Sequence, residues 1–153
     1  MNSLEAYNYA LNNPDKRHTV IDKITKSNDA YYWARKWPED KHIMISRITE
    51  SLEAFWWARD WPEDKHIMID RVTESKWAFN WAEHWPEDYV KLATNSQKIH
   101  DRFLDKLKLS QSVEWIHTFP EDREQVYKKF NFPGSWCQEG TLFRYSNEFI
   151  RSM

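Results

Sequence analysis

A chain of 153 residues, 41% of them hydrophobic, is long enough to bury one core; its net charge of −2, with acids and bases interspersed, gives no global drive towards nucleic acid or an anionic membrane. Two glycines are too few for the turns of an all-β array, and the single cysteine, Cys137, excludes an intrachain disulfide and suits a reducing compartment. A polar start after Met1, and no apolar run approaching ~18 residues, predict a soluble, cytoplasmic protein without signal peptide or membrane span.

From Ser3 onward the chain repeats itself. Residues 3–26, 27–50, 51–74 and 75–98 are four copies of one unit, and Pro14, Pro38, Pro62 and Pro86 recur every 24 residues. Self-similarity at a fixed period of this size marks a repeat array and outranks any single-residue clue. In the first half of each unit an apolar stripe recurs at i, i+3, i+4 and i+7: Ala30, Trp33, Ala34, Trp37, then Ala54, Trp57, Ala58, Trp61, then Ala78, Trp81, Ala82, Trp85. That spacing is one face of an α-helix, with alanines that admit a neighbouring helix and tryptophans that fill the space beside them. The first copy weakens to Ala6, Tyr9, Ala10, Asn13, as a terminal unit would.

The second half opens Pro-Glu-Asp. Proline suits a first helical position, and carboxylates in a first turn favour the positive end of the helix dipole. Met68, Ile69 and Val72 then give an apolar face, and Thr73 with Ser51 or Ser75 supply cap-type residues before the next helix. Each unit is therefore predicted to be a helix–turn–helix of two helices about ten residues long. Helices that short are marginal alone, so neighbouring units must stabilise one another, with Trp33, Trp57 and Trp81 in a shared core ladder.

Past the fourth proline the pattern changes. Val90, Leu92, Ala93, Ile99, Phe103 and Leu107 predict one longer helix over 87–107. A degenerate fifth unit follows at 109–130, in which Trp115, Phe119 and Pro120-Glu121-Asp122 match the repeat. Residues 131–140 read as a loop and 142–150 as a helix, so that 131–153 would cap the array. The fold class expected for the single domain 1–153 is all-α, a short α-solenoid of about five helix–turn–helix units with a C-terminal helical cap.

Read together, the residues AFWWARD followed by WPEDKHIMI resemble the short tandem helical repeats with a W-P-E box found in many bacteriophage-encoded proteins. The resemblance covers residues 3–98 and, faintly, 109–130. It implies helical hairpins and a phage origin, and brings no set of functional residues. The first copy departs from it, since Pro14 stands between Asn13 and Asp15.

Candidate chemistry is sparse. The four Pro-Glu-Asp carboxylate pairs read as helix starts rather than a glycosidase pair. His18, His42 and His66 share one repeat position, but neighbouring helices roughly 8–10 Å apart cannot bring them to one zinc, which needs bonds near ~2 Å. Cys137 with His117 carries no local signature of a nucleophile pair. No phosphate-binding loop, nucleophile elbow or zinc-protease motif occurs, so no enzyme, metal or cofactor is expected. Lys98, Arg102, Lys106 and Lys108 form the one basic concentration, interrupted by Asp101 and Asp105; it reads as a solvated helix face, with nucleic-acid binding as the alternative.

The most informative residues lie opposite the Ala/Trp stripe. Tyr32 and Trp56 sit two positions after the first alanine, about 200° round the helix, and Trp77 also falls on the outer side. Either these rings form a binding surface, or curvature of the stack buries them beneath the next layer or the cap. The reading taken forward is a non-enzymatic repeat protein that binds a partner protein through Tyr32, Trp56 and Trp77, with Arg35, Lys36, Arg59 and Asp60 setting register on the rim. If the chain is phage-encoded, a host defence or regulatory component is the expected partner. Homo-oligomerisation through the same rings is the structural alternative.

Overall fold

The computed structural model describes residues 1–132. Most of the expected loop at 131–140, the cap helix at 142–150 and Cys137 lie outside them. Among the described residues every regular element is helical. The chain divides into two compact units, Met1–Trp81 and Ala82–Met153, and the division falls inside a helix.

The first unit is a short α-solenoid of the 24-residue repeat. Helix α1 (Ser3–Asn12) is followed by α2 (Ser27–Lys36), with the short α3 (Lys41–Met44) returning from it. Helix α4 (Ser51–Asp60) and its return α5 (Lys65–Met68) repeat the pattern, and α6 (Ser75–His84) begins the fourth copy. The return limb is not the plain α-helix expected. It starts as a 3₁₀ turn at Pro38–Asp40, relaxes to α3, and tightens again to 3₁₀ at Ile45–Arg47; the third copy does the same at Pro62–Asp64 and Ile69–Arg71. In the first copy it is 3₁₀ throughout, Pro14–Thr19 and Ile21–Lys23. Such turns suit helix ends, and here both ends of a ten-residue limb are close together.

Long-range hydrogen bonds explain the geometry. Arg47 Nη1 donates to the carbonyls of Ile21 and Ile24, and Arg71 Nη1 repeats this one period later on Ile45 and Ile48. Each guanidinium thus bonds carbonyls at the end of the preceding limb, where Ile21 and Ile45 already accept a 3₁₀ bond from Ile24 and Ile48. The serines do not cap their own helices as expected: Lys26 and Glu50 are the N-cap residues, and neither makes a side-chain cap. Instead the Ser3 hydroxyl accepts the N–H groups of Thr25 and Lys26 at 3.1 and 3.2 Å. Ser27 holds Thr49 and Glu50, and Ser51 holds Thr73 and Glu74, in the same way. Each serine fixes the chain leading into the next helix, which sets the period.

The core holds most of the expected stripe, while Trp61, Ala82 and Trp85 are only half-buried. Ala30, Ala34, Ala54, Ala58 and Ala78 are fully buried, as are Trp33, Trp57 and Trp81. The ring contacts that join copies, however, run through the residue after the first alanine. Tyr7 meets Trp33 and Trp37, Tyr31 meets Trp56 and Trp61, and Phe55 meets Trp77 and Trp81, at centroid distances of 5.5–6.5 Å. Within a copy the indoles lie closer still, Trp33–Trp37 at 4.6 Å and Trp57–Trp61 at 4.4 Å.

In the second unit the helix expected over 87–107 is two. Helix α7 (Tyr89–Ala93) closes with Thr94 and Asn95 bonding back to Lys91 and Leu92. Ser96 is fully extended (φ −161°, ψ 150°), and its hydroxyl caps α8 (Gln97–Asp105) by accepting from Ile99 N–H at 3.2 Å. Serine's competition for backbone N–H groups breaks the helix where the apolar pattern ran on. Helices α9 (Ser112–Thr118) and α10 (Arg123–Phe130) flank Pro120–Asp122 and form the degenerate repeat. Asn131, in the left-handed region at φ 52°, ends α10.

Candidate interaction surface

The Pro-Glu-Asp boxes have a structural task that is more specific than dipole matching. Asp40 is 3% exposed and accepts the Trp33 indole N–H at 3.0 Å; Asp64 and Asp122 accept from Trp57 and Trp115 at 2.9 and 2.8 Å. The boxes of the second and third copies also take a cation from the preceding copy. Arg17 bonds Glu39 at 2.7 Å and Asp40 at 3.2 Å, and Lys41 bonds Glu63 at 2.6 Å and Asp64 at 2.8 Å. The same two cations lie 5.9 and 5.5 Å from the ring centroids of Trp37 and Trp61. Burial pulls the Lys41 ammonium down, but its bonds to Asp64 and Glu63 outweigh that and hold it above its ordinary value. These carboxylates are the joints of the array.

The histidine positions follow from the same limbs. His42 and His66 are exposed, each with Nδ1 3.0 Å from the carbonyl oxygen of Glu39 or Glu63, and His18 Nδ1 lies 3.8 Å from Asp40. Among the described residues no three His, Cys, Asp or Glu side chains are grouped so as to hold a metal ion.

Tyr32 is 39% exposed, while Trp56 and Trp77 are half-buried. The structure brings the first two together through Tyr31, whose ring centroid is 5.3 Å from Tyr32 and 5.5 Å from Trp56. Trp77 stacks on Phe55 at 5.8 Å, beneath the Lys76 ammonium. Of the rim charges, Asp60 is partly buried and structural: it accepts from the Tyr31 hydroxyl at 2.7 Å. Burial, and then that hydrogen bond, push the Tyr31 phenol up to about 12. Arg35 and Arg59 both reach Asp60, at 3.5 and 3.4 Å, and stay about half exposed; Arg35 also lies over the Tyr31 ring. Lys36 is exposed. The sequence named the exposed rings but missed Tyr31, the buried residue that organises them.

In the second unit Lys98, Arg102, Lys106 and Lys108 are exposed, and so are Asp101 and Asp105 between them. Sequence reasoning also missed His100. Its buried ring lies 4.6 Å from Phe119 and 5.2 Å from Trp115, with Nε2 2.8 Å from Asp122 Oδ2. The outward signal was faint, because the insertion before the fifth copy breaks the 24-residue register.

Fold and contacts together define an all-α helical-repeat protein whose copies are joined by a buried carboxylate and a cation–aromatic contact. The chain matches no family model, no curated protein and no solved structure. No helix among the described residues is long and apolar enough to cross a membrane.

Proposed function

We propose that this is a non-enzymatic helical-repeat protein that binds a partner protein through the aromatic surface of α2, α4 and α6. The observation that carries the reading is the exposed Tyr32 beside half-buried Trp56, flanked by the half-exposed guanidinium groups of Arg35 and Arg59. An amphipathic ring held rigid by its neighbours gives contact area with little entropy to lose, and such rings dominate interface energetics. Arg35, Lys36, Arg59 and Lys76 make the surroundings basic, so the partner would present an apolar centre ringed by carboxylates. The resemblance to phage-encoded W-P-E repeats makes a host defence or regulatory component the partner to look for first.

The test is capture from a host lysate by the wild-type chain, followed by the variants Tyr32→Ala and Arg35→Glu. Both side chains are exposed, so both variants should keep the helical circular dichroism signal, with a small loss of stability for Arg35→Glu because it faces Asp60. Loss of one captured protein in both variants supports the reading. Equal capture by wild type and variants refutes it. Binding that instead follows Arg102→Glu and falls steeply with salt would establish nucleic-acid recognition by α8, and a dimer in sedimentation that Tyr32→Ala dissolves would establish self-association.

A further inference from the structure

Three of the five large hydrophobic side chains exposed among the described residues lie on α1 and α2: Leu4 at 54%, Leu11 at 41% and Tyr32 at 39%. At about 100° per residue, Leu4 and Leu11 stand about 160° and about 140° round α1 from the buried Ala6, on the outer side turned towards α2. Tyr7, at about 100°, faces α2 itself and meets Trp33 and Trp37. On α2, counted from the buried Ala30, Tyr32 stands at about 200° on the outer face and Asp29 at about 260°, turned towards α1. Burial first, then the charges of Tyr32 and Asp29, raise the Tyr7 phenol, so the three polar ends lie near one another. These five side chains line the outer groove between the two helices.

Asp29 is the unusual member. It is 5% exposed, its Oδ2 is buried without a hydrogen-bond partner, and its side chain makes no ion pair among the described residues. A buried carboxylate without a donor is costly, and a donor brought by another molecule relieves the cost. The array shows which group suits such a groove. Two joints further on, between α4 and α6, Trp77 occupies the position of Asp29 and stacks on Phe55, the counterpart of Tyr7, at 5.8 Å. Leu52, the counterpart of Leu4, is half-buried there. Between α1 and α2 no residue of the repeat supplies that indole, and Leu4 is open. Indoles in this chain also donate to aspartates, as Trp33 does to Asp40 and Trp57 to Asp64.

We infer that the groove between α1 and α2 seats the anchor of the partner protein, a tryptophan side chain. Its ring lies on Leu4, Tyr7 and Leu11 beside Tyr32, as Trp77 lies on Phe55, and its N–H is donated to Asp29. An indole joins a large apolar face to a single donor, and anchor rings of this kind dominate interfaces. An aliphatic or phenyl side chain would cover the leucines and leave Asp29 without a donor. The inference rests on the partner-binding reading above and adds α1 to its surface.

The probe is N-acetyltryptophanamide added to the full chain, with its 1-methylindole analogue, which lacks the ring N–H, as the control. The readout is the NMR resonances of the Leu4 and Leu11 methyl groups and of the Tyr7 ring. Saturable shifts are expected, with the methylated analogue about tenfold weaker, the factor for a hydrogen bond to a charged acceptor. Leu4→Ser combined with Leu11→Ser, both at exposed positions, should abolish saturation. Ile67→Ser, which removes an exposed apolar side chain on α5, should leave it unchanged. No saturation of the wild type, equal binding of the methylated analogue, or saturation that survives the double leucine variant would each overturn the assignment. Saturation with no protein captured from the lysate would support the groove as an indole site and overturn the partner-binding reading alone. Capture that Tyr32→Ala abolishes, without saturation by the probe, would do the reverse.

Discussion

Asp40→Ala is the most revealing single substitution. It removes the acceptor of the buried Trp33 indole N–H and one of the two carboxylates that hold Arg17. A hydrogen bond to a charged acceptor contributes about 1.5–3 kcal/mol, and stranding a buried donor adds about 1–3 kcal/mol. The Arg17 contact adds less than about 1 kcal/mol, because Glu39 still holds the guanidinium. These terms overlap, and about 3 kcal/mol is the expected loss, a large part of the roughly 5–15 kcal/mol that holds a domain together. Urea denaturation followed by far-UV circular dichroism reads it directly, and the melting temperature should fall by roughly 6–12 °C. Asp40→Asn keeps an oxygen acceptor for Trp33 and should lose only about 1 kcal/mol. A loss for Asp40→Ala under about 0.5 kcal/mol, the size of an ordinary surface change, would refute the reasoning. So would an Asn variant as unstable as the Ala variant.

Other consequences concern pH. Burial, ahead of the neighbouring Glu50 and Glu74 charges, raises the Glu53 carboxyl above its ordinary 4.5, and Glu53 Oε2 is buried with no hydrogen-bond partner. The folded state therefore binds the proton more tightly, so Glu53 makes stability fall as pH rises from 4.5 through the folded value. Glu53→Gln should flatten that slope and stabilise the protein at pH 7 in chemical denaturation; a destabilised variant would contradict the burial argument. The Tyr31 phenol is shifted from 10.0 to about 12, so its contribution is complete below pH 10 and lost as pH rises through 12. Tyr31→Phe should remove that alkaline loss, and ultraviolet absorbance should show one late-ionising tyrosine fewer in the variant, while the buried Tyr89, also raised, still ionises late.

Much of the fold was legible because the signal was local. The Ala/Trp stripe and the proline starts needed only helical period and cap chemistry, and Trp33, Trp57 and Trp81 are buried as that pattern requires. The joints were less legible because their partners lie across a turn, as Trp33 does from Asp40, or about one period away, as Arg17 does. Nothing near Asp40 announces that it accepts from Trp33 and Arg17, nor anything near Ser27 that it holds Thr49 and Glu50. Aligning each copy against the next would have paired the recurring cation with the recurring Glu-Asp. The break at Thr94–Ser96 had a local signal, a Thr-Asn-Ser run, that the apolar periodicity of Ile99 and Phe103 outweighed. Of the surface, Tyr32 could be placed outside from its helical angle alone, while the half-burial of Trp56 depended on Tyr31 in the preceding copy.

The central claim is that each copy is held by its neighbours at a fixed 24-residue period. Deleting Ser51–Glu74, one whole copy, tests it most directly by urea unfolding. The shortened chain should keep one cooperative transition, with its denaturant slope reduced by roughly one-sixth in proportion to the length removed. A deletion of half that length, which puts every serine, arginine and carboxylate out of register, should abolish cooperative unfolding. If the whole-copy deletion unfolds the chain, or the half-copy deletion is tolerated equally well, the joints described here do not hold the array together.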